Sequence, residues 1–253
     1  MTDLVTPAPS VSPGPAQARA QAAAASPSQT LSRGIRVLEV LAESDEALSI
    51  AALAEALDVH RSIAYRILRT LEDHGLVARD GAGLVSLAPR MAYLARNVAS
   101  GLATVALPEL IQAANDLGMT VFIAALDHGE CITLASAEPS GAPAALVQRP
   151  GSRHSFVVGA PGIAIQSSFT PAEWATYAPG ESARPEAAEV TVRGYATSHD
   201  EVIAGVTSVA VPLRLAGQMP CAVAAVFVTR NIDLAEVALR LQACVRQIIA
   251  AFE

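Results

Sequence analysis

The chain has 253 residues with 17 basic side chains, all of them Arg, against 24 acids, a net charge of −7; 52% of it is hydrophobic and 4% aromatic. Such a length holds one large domain or two small ones, and the aliphatic content fills a core without help from a metal or disulfides. The acidic balance excludes a general nucleic-acid coat but not a local reader: residues 31–97 carry eight Arg against nine acids, whereas residues 98–253 carry eight against fourteen. This is weaker than the basic footprint usual for DNA binders, and it predicts modest affinity per protomer and a need for two or more copies on DNA. Cys131, Cys221 and Cys244 are odd in number, far apart in sequence and without a neighbouring His. They are expected to be small buried hydrophobes, with no disulfide, no metal site and no cofactor. No basic region followed by an apolar run opens the chain, and no apolar stretch reaches the roughly 18 residues of a membrane helix. A cytoplasmic protein with no membrane partner is expected.

Residues 1–28 are mostly Ala, Pro, Ser and Gln with little to bury, which predicts a disordered tail. Leu31 to Glu43 reads as a helix capped by Ser32. Ser49 caps a short Ala/Leu helix to Leu57, Asp58–Val59 makes a tight turn, and a third helix runs to a stop at Gly75. In that helix Ala64, Ile67, Leu68 and Leu71 recur at i, i+3, i+4, i+7 as an apolar stripe, and Ser62, Tyr65, Arg66 and Arg69 recur at the same spacing on the other side. Guanidiniums, a hydroxyl and a phenol are groups that reach phosphates and base edges, and Arg61 sits in the first turn, the end that points into a groove. Two readings fit this stretch alone: a helix-turn-helix, or a solvated helix hairpin whose Arg side chains pair with Glu72 or Asp73. The next residues favour the first. Leu76–Arg79 and Leu84–Leu87 are short β runs around Asp80–Gly81, a hairpin signal, and a hairpin after three helices is a wing. Arg79 at its base is a phosphate candidate.

Pro89 to Leu117 is helical in pattern, broken near Ser100–Gly101 and at Pro108. It reads as a linker helix, on which Met91, Leu94 and Val98 offer a dimer contact, followed by the first helix of a second domain. Thr120–Leu126 and Cys131–Ser136 pair through Asp127-His128-Gly129, and Phe156–Val158 looks like a strand end. Gly159-Ala160-Pro161-Gly162 then opens a short helix to Ser168. Its free N–H groups, less the one Pro161 lacks, either hold an anion or simply begin a helix. Pro171 starts another short helix, Val206–Leu213 and Cys221–Val228 are strands, and Leu234–Phe252 is a closing helix. Helices at both ends of an antiparallel sheet make an α+β sensor-like domain.

Three stretches in this order resemble the IclR family of bacterial transcriptional regulators: SRGIRVLEVLAES, LSIAALAEALDVHRSIAYRILRTLEDHGLVARD and RGYATSHDEVIAGVTSVAVPLR, the last with Gly194–Tyr195, Glu201, Gly205 and Pro212. The resemblance covers about Leu31 to Phe252. It implies an α+β chain: a tail at 1–28, an N-terminal winged helix-turn-helix at 29–88, a linker helix at 89–101, and a GAF-like α/β effector-binding and oligomerisation domain at 102–253. It implies a regulator, a repressor being the common kind, that binds a roughly palindromic double-stranded operator as a homodimer or tetramer. A small metabolite, often a carboxylate such as an organic or aromatic acid, is implied as effector. DNA contact falls to Arg61, Ser62, Tyr65, Arg66, Arg69 and Arg79. The effector pocket falls to Gly159, Ala160, Pro161 and Gly162, with Ser198, Asp200 and Glu201 on one wall and Ser208 on a strand facing it.

The chain departs from the family in three places. Gly162-Ile163-Ala164 stands where Gly-Lys-Ala is common, Ser155-Phe156-Val157 where many members have Pro-Leu-His, and Asp58 where Gly is usual. Asp tolerates a left-handed backbone better than most residues, so the turn should survive. The first two changes leave the effector class open, and Arg153 and His154 either compensate for the missing lysine or are solvated loop residues. A regulator whose pocket is too apolar for a metabolite, acting by DNA binding and oligomerisation alone, is the alternative. Ser208, His199 and Asp200 are present, but no Gly-x-Ser-x-Gly elbow and no phosphate-cradling Walker sequence accompanies them, so no enzymatic activity is expected.

Overall fold

The computed structural model describes residues 28–96, 98, 100–141, 146–228 and 231–252. The predicted N-terminal tail, apart from Ser28, lies outside them. The chain divides into two compact units, one ending at Val98 and the other following it.

The first unit holds three helices and a hairpin. Helix α1 (Gln29–Glu43) starts two residues earlier than the sequence predicts, because Ser28 and not Ser32 caps it: the Leu31 N–H donates to Ser28 Oγ at 3.4 Å. Helix α2 (Ile50–Ala56) is capped by Ser49, whose hydroxyl accepts from the Ala52 N–H, and helix α3 (Arg61–Asp73) by the His60 ring. Asp58 makes the turn between them in the left-handed region, at φ 49°. The stripe read on α3 is the core: Ile67, Leu68 and Leu71 pack with Val37 and Leu41 of α1 and Leu53 of α2.

Strands β1 (Val77–Arg79) and β2 (Val85–Leu87) pair antiparallel, and a bridge from Leu48 to Val85 adds one residue of a third strand. Their connection is wider than a two-residue Asp-Gly turn. Asp80 closes on Leu84, its carboxylate accepts from the Ala82 and Leu84 N–H groups, and Gly83, not Gly81, takes the positive φ of 83°. A three-residue loop with its last residue left-handed is the next most favoured hairpin geometry. Helix α4 (Arg90–Ala95) ends the unit, with Tyr93 and Leu94 exposed.

In the second unit, helix α5 (Ser100–Leu117) runs through Pro108 without a break. Proline in a helix interior removes one hydrogen bond. Leu102, Ala106, Leu110, Ala113 and Ala114, all buried against the sheet, hold the helix through that loss, while Pro108 lies on the exposed side. Strands β3 (Thr120–Asp127), β4 (Glu130–Ala137), β5 (Arg153–Ser155), β6 (Ala196–His199), β7 (Val206–Leu213) and β8 (Cys221–Val228) form one antiparallel sheet in the order β5-β4-β3-β8-β7-β6. The β3–β4 turn is His128-Gly129, both with positive φ, as a two-residue hairpin turn requires. β5 lies three residues before the predicted strand at Phe156–Val158. Phe156 instead turns inward and packs on Trp174, ring centroids 6.1 Å apart.

Both faces of the sheet are covered, which is why β3 and β8 read as nearly continuous apolar runs rather than alternating ones. Helix α5 and the closing helix α9 (Leu234–Phe252) cover one face. Helix α6 (Gly159–Ser167) lies on the other, followed by α7 (Pro171–Tyr177) and α8 (Pro185–Arg193). Every residue of α6 from Gly159 to Gln166 is buried. It sits against Ala124, Ala210, Ala222 and Ala224, a floor of small side chains that lets the backbones approach. The three cysteines are buried and unpaired, and burial, the main cause for each, pushes their thiols up to about 12.

The approach is closest at Gly162. A Cβ there would stand 2.0 Å from the Phe156 carbonyl oxygen, a backbone atom that cannot swing away. Gly162→Ala is therefore expected to destabilise the second unit by about 1–3 kcal/mol or more, as overpacked cores do. Gly81→Ala, where a Cβ meets nothing within 4 Å, should be near neutral. Urea unfolding of the two variants checks the contrast.

Candidate functional site

Two regions gather the residues that the sequence singles out, one in each unit. In the first unit, the buried stripe of α3 turns its opposite face to solvent. Arg61, Ser62, Tyr65, Arg66 and Arg69 are all exposed there, Tyr65 at 48%. Arg61, Tyr65 and Arg69 follow one another at i, i+4, i+8 and so share a line along the helix. Ser62 Oγ lies 2.9 Å from His60 Nδ1, which ties it to the cap. Arg66 stands further round, beside Ser28, Arg33, Ile63 and Thr70, where α1 and α3 frame a hollow.

Arg79 is engaged within the fold. Its Nε and one terminal nitrogen donate to the two oxygens of Glu72, each at 3.1 Å, and its guanidinium lies 5.6 Å from the Tyr65 ring centroid. The ion pair weighed for the helix arginines is thus made by the wing. It joins β1 to the C-terminal turn of α3 and leaves Arg61 and Arg69 outward.

In the second unit a cavity of about 350 Å³ opens at the N-terminal end of α6. Phe122, Pro161, Val202, Ile203 and Val226 give it apolar walls, and Ser198, Glu201 and Ser208 are among its polar ones. Gly159 also lines it, as do Arg153 and His154. Ala160, Gly162 and Asp200 do not. Asp200 closes its own turn at φ 59°, its carboxylate accepting from the Gly205 N–H (2.6 Å) and pairing with His199 Nε2 (2.9 Å). Arg153 donates to Glu130 (3.1 Å), and His154 Nδ1 lies 3.0 Å from the Ser155 carbonyl.

The start of α6 is the chemical centre of this region, and it differs from the open anion cradle that the sequence allows. The Gly159 N–H donates to Glu201 Oε2 at 2.8 Å and the Ala160 N–H to Ser198 Oγ at 2.9 Å. Pro161 has no N–H. The chain's own carboxylate and hydroxyl therefore occupy the first two donors of the helix.

Arg184 fixes that carboxylate. It donates to both oxygens of Glu201 (3.0 and 3.2 Å), to both of Glu186 (3.1 and 2.7 Å) and to the Val157 carbonyl (3.2 Å). Its backbone N–H donates to Gln166 Oε1, and Gln166 Nε2 donates to the Phe156 carbonyl. Burial pulls the Glu201 carboxyl upward, but Arg184 and the Gly159 N–H outweigh it, so the group ionises below its ordinary value. Arg184, helped by Glu186's own N–H, holds Glu186 at about 2. The two carboxylates in turn push the guanidinium up. Arg184 and Gln166 carry no sequence signal as site residues: Arg184 sits in a loop 17 positions before Glu201, and Gln166 falls within an apolar run.

Ser208 Oγ donates to the Ala225 carbonyl (3.1 Å), whereas His199 meets Thr207 Oγ1 and Asp200. The three residues that could form a nucleophilic triad are not arranged as one.

A winged helix-turn-helix with an outward arginine face, followed in the chain by an α+β unit with a ligand-sized cavity, defines a two-domain transcriptional regulator. Comparison with known proteins agrees. The IclR helix-turn-helix domain family matches residues 30–81. The HTH-type transcriptional regulator Rv1719 of Mycobacterium tuberculosis is 29% identical over 200 residues, 74% of this chain and 77% of that one. The probable transcriptional regulator SauR of Cupriavidus necator is 28% identical over 211 residues, 77% and 83% of the two chains. Among solved structures, an IclR transcriptional regulator from Alicyclobacillus acidocaldarius superposes with a TM-score of 0.75 at 26% identity, over 90% of this chain and all of that one. An IclR homologue from Microbacterium hydrocarbonoxydans, complexed with 4-hydroxybenzoate, shares the fold with a TM-score of 0.75 at 22% identity, over 88% and 99%. The chain thus carries an IclR-type helix-turn-helix domain, and over most of its length it is similar to IclR transcriptional regulators.

The Arg184 cluster carries a pH dependence of known sign. Glu186 and Glu201 have folded values below the ordinary 4.5, so the stability they contribute is complete above that pH and is lost as pH falls toward about 2. Acid unfolding followed from pH 6 to pH 2 should be steeper for the wild type than for Arg184→Met, in which neither carboxylate has its guanidinium. Parallel curves would remove the cluster from the stability of this unit.

Proposed function

We propose that this regulator binds a roughly palindromic operator as a homodimer or tetramer, and that a small organic molecule in the α6 cavity sets its affinity for DNA. The observation that carries the DNA half is the exposed line of Arg61, Tyr65 and Arg69, flanked by a wing and backed by a core that fixes its direction. Placing N-terminal residues of such a helix against base edges, with others on phosphates, is how helix-turn-helix proteins read the major groove. Two copies fit the charge: a unit with nearly balanced Arg and acids neutralises few phosphates alone, and two recognition helices double that number. Leu94 and Val98, exposed at the end of the first unit, are apolar surface available to a second copy.

The effector half rests on the cavity. It is of ligand size, mostly apolar, with a few fixed polar groups, the usual composition of a small-molecule site. The Microbacterium homologue holds a small aromatic acid, which fits a site of this size. The effector moves the equilibrium between DNA-competent and incompetent arrangements only by its difference in affinity for the two. A purely regulatory role without catalysis agrees with the separation of Ser208 from His199 and with relatives that are transcriptional regulators. No helix among the described residues is long and apolar enough to cross a membrane, which agrees with action on DNA in the cytoplasm.

Arg61→Ala and Arg69→Ala should each weaken operator binding by about 1–3 kcal/mol with no change in the melting point, since both side chains are exposed. Fluorescence anisotropy with operator duplex measures the first and a thermal melt the second. Unchanged affinity in both variants would take the reading away from α3.

A further inference from the structure

Resting on the assignment of the α6 cavity as the effector site, its hydrogen-bonding capacity names the kind of head group it takes. We propose that the cavity selects a neutral group that both donates and accepts, a hydroxyl or a carboxamide on an apolar body, at Ser198 and Ser208, and disfavours a carboxylate there.

Ser198 and Ser208 are directly opposed partners on β6 and β7 and both line the cavity. Opposed residues on neighbouring strands have Cβ atoms about 4.5–5.5 Å apart, close enough for one ligand group to meet both. Their hydroxyls are committed in opposite senses. Ser198 Oγ accepts from the Ala160 N–H, so its proton remains to donate, and among the described residues it has no acceptor. Ser208 spends its proton on the Ala225 carbonyl, so its lone pairs remain to accept. One donor beside one acceptor matches a hydroxyl or an amide. A carboxylate only accepts; it would satisfy Ser198 but set its charge against the lone pairs of Ser208.

Glu201 adds to the same discrimination. Its anion lines the cavity, and the N–H groups of Gly159 and Ala160, which would otherwise receive an acid at a helix N-terminus, are already taken by Glu201 and Ser198. Several other polar groups of the wall are engaged within the chain. Arg153 is paired with Glu130, Gln148 Nε2 donates to Thr133 Oγ1 (2.8 Å), and His154 Nδ1 meets the Ser155 carbonyl. The apolar body lies between Phe122, Val226, Val202 and Ile203.

Benzamide and benzoate have the same shape and differ in this one property, so calorimetric titration of the full-length protein with each tests the proposal. Benzamide is expected to bind at least about ten-fold more tightly than benzoate. Ser198→Ala and Ser208→Ala should each weaken benzamide about ten-fold, and Ser208→Ala, which removes no donor available to an acid, should leave benzoate within about two-fold, with melting points confirming that both variants fold. Benzoate binding as tightly as benzamide overturns the proposal and leaves the cavity standing as an effector site. So does benzamide binding that is unchanged in both serine variants. If neither compound binds, and a melting-shift screen of neutral and acidic aromatics finds no other, the effector-site assignment falls and the proposal with it.

Discussion

A helix buried on every side has no water for the N–H groups of its first turn, and α6 meets that constraint with side chains about 40 positions further along the chain. Glu201 and Ser198 reach it from β6 and the turn that follows, and Arg184 holds Glu201 while bonding to Val157 just before the helix. An unpaired buried donor costs about 1–3 kcal/mol, more beside a charge, so the cavity wall and the helix start stand or fall together. The alanine floor beneath α6 and the glycine at position 162 belong to the same constraint. The alanines let the helix lie near the sheet that carries Ser198, and Gly162 lets it lie against the Phe156 carbonyl of the segment before it.

The DNA-binding unit uses charge in the opposite way. Its outward arginines, Arg61 and Arg69, make no ion pair among the described residues, and Glu72 pairs with the wing instead. With Arg79 taking both oxygens of that carboxylate, half-buried Glu72 is neutralised by a guanidinium that lies beside the Tyr65 ring. The wing therefore shapes the electrostatic surface of the recognition helix as well as bracing it.

The elements were largely legible in the sequence because their signals are local. The 3.6-residue stripe of α3, the Ser49 cap and the apolar runs of β3 and β8 each sit within a few residues of the structure they specify. The misreadings have local causes as well. Two serines stood near the start of α1 and only geometry separates Ser28 from Ser32. Pro108 reads as a helix break until the sheet beneath it is known. Phe156 has strand-like character but is needed as a core residue against Trp174. At the site, Ser198, Glu201 and Ser208 came from the family resemblance and share one cavity. Arg184 could not be found that way, because its role depends on a loop folding back across 17 residues onto a carboxylate. Nor could the occupation of the α6 donors, since a helix start looks the same in sequence whether its N–H groups face a ligand or the chain itself.

The six-stranded sheet has a further consequence at its margins. Both edge strands are short, β5 with three residues and β6 with four, and beyond β5 the exposed side of β4 is met by its own loop, where Thr133 exchanges backbone hydrogen bonds with Gly151 and Ser152. Little continuous backbone is left as a template for another strand. Short edges of this kind favour association of copies through side-chain surfaces of helices and loops over strand addition. Such contacts can be altered one residue at a time, where an extended sheet would have locked them in register.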